Sequence, residues 1–146
     1  MEYVLMNEAH VAQVAQLEKC CFSMPWSENA IRSELTNPLS CWIVAVEQNK
    51  VVGYVGSQSV MGEADMMNIA VDAAYRRAGV AETLVDTLIA HLRSQKTYCL
   101  TLEVRASNEP AIKLYEKHGF VQLGRRPGYY YAPREDALIY RKEWEV

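Results

Sequence analysis

No apolar run in this chain is long enough to cross a bilayer, although half of its residues are hydrophobic. Cys20, Cys21, Cys41 and Cys99 form no C-x-x-C and no zinc spacing. Adjacent Cys20 and Cys21 are poor disulfide partners for each other, so all four are expected as reduced, mostly packed thiols. His10, His91 and His118 are scattered, which predicts no metal cluster. The net charge is −3 and no basic block stands out. That argues against a dedicated nucleic-acid surface and favours cationic protein or peptide partners. The opening Met1 to Glu8 has no basic n-region and no cleavage signature. Repeats, low-complexity tracts and linkers are absent from the 146 residues. The expectation is one domain over residues 1–146, large enough to bury a core without staples, cytoplasmic and not bound to a membrane.

What is present is an alternation of strand and helix patterns. Tyr3 to Met6 reads as a first strand. Asn7 can cap a helix running to about Phe22, and Met24-Pro25-Trp26 breaks it. Ser27 caps a shorter helix through Leu35, stopped by Asn37-Pro38. Cys41 to Glu47 and Val51 to Val60 are strands joined by a Gln48-Asn49-Lys50 hairpin turn. Met61-Gly62-Glu63 turns into a strand ending at Val71. Tyr98 to Arg105 is a strand, and Asn108 to His118 a helix with Gly119 at its C′ position. Phe120 to Gly124 and Leu138 to Lys142 are the last strands. This order predicts an α/β fold layered around a mixed sheet.

The most informative segment is Arg76-Arg77-Ala78-Gly79-Val80-Ala81, between the strand Met66 to Val71 and an amphipathic helix from Glu82 to Arg93. Val80, Leu84, Leu88 and Leu92 fall on one face of that helix, with Val85 and Ile89 beside them. The buried stripe pins the helix, and its N-terminus behind a glycine turn offers backbone N–H groups to a phosphate. Neither G-x-x-x-x-G-K-[ST] nor G-x-G-x-x-G is present. A plain strand-to-helix connection with one glycine would look the same.

Leu100, Leu102 and Val104 share one face of the next strand, and Thr101, Glu103 and Arg105 the other. Glu103 at mid-strand is a candidate base. The alternatives are a wet strand face or a Glu103–Arg105 pair. Asn108 can cap the following helix, with Pro110 tolerated in its first turn. Tyr115 on its inner face is a core aromatic with a hydroxyl partner, or an acid.

Two motifs together carry a resemblance. Arg76, Gly79 and Ala81 fill the fixed places of Q/R-x-x-G-x-G/A, and Asn108-x-x-Ala111-x-x-Leu114-Tyr115-x-x-x-Gly119-Phe120 follows. The chain resembles the GNAT family of N-acetyltransferases from about Cys20 to Tyr140. Leu102 to Asn108, Pro25-Trp26-Ser27 and the late tyrosines followed by Arg134-Glu135-Asp136-Ala137 resemble the members that acetylate the N-terminal alanine of a small-subunit ribosomal protein. Ser23-Met24, Ala81 and Pro127-Gly128 depart from the commoner pattern.

The resemblance implies the GNAT fold: a mixed, mostly antiparallel sheet of about seven strands with helices on both faces. It implies acetyl-coenzyme A as cosubstrate and no metal. Arg76, Arg77, Ala78, Gly79, Val80, Ala81 and Glu82 would hold the pyrophosphate. Ile69, Ala70 and Val71 would pair with the pantetheine arm as an added strand does, and Asn108 would contact that arm. Glu103 is then the general base and Tyr115 the general acid near the sulfur. Trp26, Tyr129, Tyr130 and Tyr131 would rim the acceptor channel; the rival reading is an aromatic cluster that covers the sheet. The implied partner is the N-terminus of a ribosomal protein or another peptide, met by a monomer or weak dimer. Acetylation of lysine side chains or small amines on the same scaffold, or a coenzyme A-binding subunit that docks on a complex, are the other readings.

Overall fold

The computed structural model describes residues 1–145. Seven strands form one sheet: β1 (Glu2–Leu5), β2 (Ser40–Glu47), β3 (Lys50–Val60), β4 (Glu63–Val71), β5 (Cys99–Arg105), β6 (Val121–Tyr130) and β7 (Glu135–Glu143). Four α-helices join them: α1 (Glu8–Cys21), α2 (Glu28–Glu34), α3 (Val80–Ser94) and α4 (Glu109–Lys117). The spatial order is β1-β2-β3-β4-β5-β7-β6. Every pairing is antiparallel except β4 with β5.

Local chemistry sets most boundaries. Asn7 caps α1 through the Ala9 N–H at 2.9 Å, and Ser27 caps α2 through the Ala30 N–H at 3.1 Å. Gln48 and Asn49 both take positive φ, the backbone that a tight hairpin between right-twisted strands requires. Alternate residues of β2 and β3 point to opposite faces and so feed two cores. Ile43, Ala45 and Val55 pack with Leu84, Leu88 and Leu92 of α3. Trp42, Val44 and Tyr54 pack with Val11, Val14 and Ile31 of α1 and α2. Helices therefore cover both faces of a mostly antiparallel sheet, as the resemblance implied. Each fully buried leucine of the α3 stripe contributes roughly 1.5–3 kcal/mol, which fixes the position of that helix.

Three details differ from the sequence reading. The strand expected over Phe120 to Gly124 runs from Val121 to Tyr130. It survives Pro127-Gly128 because a register shift between Arg126 and Tyr130 absorbs them, and Asp136 Oδ1 accepts from the Gly128 N–H at 2.8 Å. Tyr129 and Tyr130 thus stand on a strand, with only Tyr131 in the turn. The last strand begins at Glu135, not Leu138, because β6 extends to meet it. All four thiols are free, and as expected most are packed: Cys41 and Cys99 are buried, Cys21 is half-buried and Cys20 is exposed.

Two irregularities shape the middle of the sheet. Gly56 faces Asn68 and Ser57 faces Met66, which leaves Met67 as an extra residue on β4. β4 and β5 pair only from Glu63 with Cys99 to Asp65 with Thr101. Past that point no ladder joins them, and the sheet opens.

Candidate active site

The opening between β4 and β5 is the floor of a cleft of about 1250 Å³. A drug-sized ligand fills a pocket of roughly 300–1,000 Å³, so this space exceeds what one such ligand needs. The β4 edge from Met66 to Val71 lines it, including Ile69, Ala70 and Val71. A strand edge with no neighbour presents N–H and C=O groups to whatever lies beside it.

One end of the cleft is the loop before α3. Gly79 occupies the N-cap position in the left-handed region, φ +76°, and no side chain caps the helix. The first-turn N–H groups therefore face the cleft with the positive end of the helix dipole behind them. Arg76, Arg77, Gly79, Val80, Ala81 and Glu82 line this end; Ala78 is exposed in the same turn but is not among the lining residues. Arg77 also has positive φ, 65°. The Arg76 guanidinium folds back, Nε donating to the Val71 carbonyl at 3.2 Å and Nη2 lying 3.8 Å from Cys21 Sγ. Glu82 is turned away to α4, 3.0 Å from Lys117 Nζ and 2.8 Å from His118 Nε2. These hydrogen bonds, Lys117 first, hold its carboxyl below the usual range.

The middle holds Glu103, Tyr115 and Asn108. Glu103 lies on the cleft-facing side of β5, 3.7 Å from Arg126 Nε. It does not pair with Arg105, whose Nη1 donates to the Pro133 carbonyl at 2.8 Å and reaches Glu135 at 3.3 Å. Asn108 Oδ1 accepts from the Ala111 N–H at 3.3 Å and so caps α4. Tyr115 is buried, and its hydroxyl donates only to the Met66 thioether, 3.9 Å away, among the described residues. Burial pushes its phenol well above the ordinary value, so it carries its proton throughout the physiological range.

The far end is aromatic. Trp26 is half-buried and packs edge-on against Trp42 at 5.5 Å, which in turn stacks on Tyr54 at 5.9 Å. Tyr129 and Tyr130 meet edge-on at 5.1 Å, and the Arg105 guanidinium sits 4.4 Å over the Tyr130 ring. Burial, with Glu103 nearby, pushes the Tyr130 phenol up to about 12. Tyr129 and Tyr131 are exposed. Ser23 Oγ donates to the Ala132 carbonyl at 3.1 Å, so the turn after α1 touches the β6–β7 turn across the cleft mouth. No group of three or more metal-ligating side chains occurs among the described residues.

Sequence reasoning missed two polar residues here. Glu18, on α1, is fully buried and reaches Trp26, Tyr54 and Asn68. Asn68 lies at the β4 bulge and lines the cleft. The available signal was a glutamate sharing the helical face of Val11 and Val14, where an apolar residue belongs.

The model of the Acetyltransferase (GNAT) family matches residues 11–120. The [ribosomal protein bS18]-alanine N-acetyltransferase of Escherichia coli K12 is 37% identical over 125 residues, covering 84% of both chains. The crystal structure of the corresponding E. coli enzyme superposes with a TM-score of 0.91 at 31% identity, over 99% of this chain and 94% of that one. Arabidopsis thaliana NAA60 with acetyl-CoA has the same fold, with a TM-score of 0.89 at 16% identity and 97% coverage of both chains. A Mycobacterium leprae protein is 38% identical over 94% of this chain, which spans only 39% of that protein's length.

Proposed function

This chain belongs to the GNAT family of acetyltransferases, and from that premise we propose that it acetylates the α-amino group of a peptide N-terminus, taking the acyl group from acetyl-coenzyme A. The acceptor we assign is the N-terminal alanine of a small-subunit ribosomal protein, by likeness to the E. coli relative. One observation carries the reading: a single cleft runs from the uncapped N-terminus of α3, along the open β4 edge, past Glu103 and Tyr115, to the aromatic mouth.

In this scheme the first-turn N–H groups of α3 hold the diphosphate, with Arg76 and Arg77 adding charge. The pantetheine amides pair with Ile69 to Val71, and Asn108 contacts the same arm. The peptide enters past Trp26, Tyr129 and Tyr130. A peptide α-amine has a pKa near ~7.7–8.0, so roughly a tenth is neutral at pH 7, against less than about a thousandth for lysine at ~10.4. A carboxylate is basic enough for that task, and Glu103 takes the proton as the amine nitrogen bonds to the thioester carbon. A backbone N–H of the Ile69 to Val71 segment stabilises the oxyanion. The C–S bond then breaks and Tyr115, protonated by virtue of its burial, supplies the thiolate's proton.

A peptide panel with acetyl-coenzyme A tests this. Peptides with free N-termini, alanine first among them, should be turned over with kcat/KM at least about tenfold above Nα-blocked lysine peptides, given the gap in neutral amine. Equal or faster acetylation of the blocked peptides overturns the assignment.

A further inference from the structure

Glu18 has no part in that chemistry, yet its environment is built. It is fully buried, and its carboxylate collects three hydrogen bonds from three other segments. Oε1 accepts from the backbone N–H of Trp26 at 2.8 Å. Oε2 accepts from the Asn68 side-chain amide at 2.6 Å and from the Tyr54 hydroxyl. All three donors are neutral. A buried carboxylate without a cation is costly, and a leucine would fill the same place on α1 without that cost. Packing therefore does not explain the residue; the identity of its partners does.

Trp26 belongs to the turn at the acceptor mouth. Asn68 belongs to the donor edge: it stands beside the extra residue of the β4 bulge, and its Oδ1 accepts from the Ile69 N–H at 3.2 Å. The carboxylate accepts only, so it dictates which end of the Asn68 amide faces it. With Nδ2 committed to Glu18, Oδ1 must face the backbone of β4. The two oxygens of one side chain thus hold the two walls of the cleft.

We infer that Glu18 is a positioning residue for acyl transfer, setting the Pro25-Trp26 turn directly and the backbone at Ile69 through Asn68. A misplacement of about 1 Å between acceptor and donor is enough to cost roughly a hundredfold in rate, so a buried strut between them has a catalytic consequence without touching either substrate. The inference rests on the N-terminal acetyltransferase reading only for its kinetic arm.

The test is Glu18→Gln. The amide keeps the volume but has a single oxygen, which stays where the Asn68 and Tyr54 donors converge, so Nε2 turns toward Trp26 and its N–H loses its acceptor. The peptide KM should rise about tenfold and kcat should fall, while acetyl-coenzyme A affinity by calorimetry stays within about twofold, since the Gly79 loop is untouched. Asn68→Ala cuts only the donor arm and should lower kcat with little change in peptide KM; it serves also if Glu18→Gln fails to fold. A purely structural Glu18 would lower the active fraction, hence kcat alone, and leave the peptide KM where it was; that result overturns the inference. Hydrogen exchange needs no substrate: the Trp26 amide should exchange about tenfold faster in Glu18→Gln than in the parent chain, and equal protection overturns it as well. If the parent chain acetylates no N-terminal peptide, the functional reading fails and exchange alone decides the role of Glu18.

Discussion

Glu103 and Tyr115 are both expected from sequence, but for each the neighbours matter more than the residue. Glu103 alternates with buried Leu102 and Val104, so its side chain enters the cleft, and Arg126 at 3.7 Å supplies a nearby positive charge. Glu103→Gln should lower kcat by about 10²–10⁴-fold, the usual span for a lost general base, with acetyl-coenzyme A affinity unchanged by calorimetry. Undiminished turnover across the pH range would remove it from the mechanism. Tyr115→Phe removes a hydroxyl whose one partner among the described residues is a thioether, so the melting temperature should hold while kcat drops at least about tenfold. Because burial raises the phenol far above neutrality, Tyr115 does not titrate in the assay range. The pH–rate profile of Tyr115→Phe should therefore be lowered without being displaced; a displaced limb would contradict the assignment.

The elements carry the geometry that no residue supplies alone. α3 is pinned by its leucine stripe, and α4 is clasped to it where Glu82 meets Lys117 and His118. On the other face, Gly56 lets the indole of Trp42 lie against β3, and Trp42 in turn supports Trp26. A Cβ at Gly56 would come 2.3 Å from Trp42 Cε2. Gly56→Ala should cost about 1–3 kcal/mol through overpacking, read as a fall of about 2–4 °C in Tm per kcal/mol. Unchanged Tm would mean that the aromatic column is looser than its ring distances imply. At this scale the sequence was legible where side chains act locally: Asn7, Ser27 and Asn108 cap the helices expected of them. It was less legible over Gly124 to Tyr130, where Asp136, eight residues from Gly128, decides that the strand continues.

Across the whole molecule, the decisive feature is the separation of β4 from β5 after three paired residues. The cleft is a gap in the sheet itself, so a ligand that fills it replaces missing strand contacts. Acetyl-coenzyme A at 100 times its Kd should stabilise the folded chain by about 2.7 kcal/mol. At about 2–4 °C per kcal/mol, Tm should then rise by roughly 5–11 °C in a thermal-shift measurement. No rise at saturating cosubstrate would sink the assignment of the cleft as the donor site.

Hydrophobic periodicity and capping residues were enough to set the order of strands and helices, because each depends on residues within a turn or two of one another, while the family and the candidate chemistry followed from the resemblance that two spaced motifs carry. Tertiary structure alone decided that β4 and β5 part after Thr101, that Arg105 serves the β6–β7 turn and not Glu103, and that Glu18 joins Trp26 to Asn68. Those are contacts between segments as much as 50 residues apart. Their energies depend on burial and on which donors converge, and only the packed chain brings those donors together.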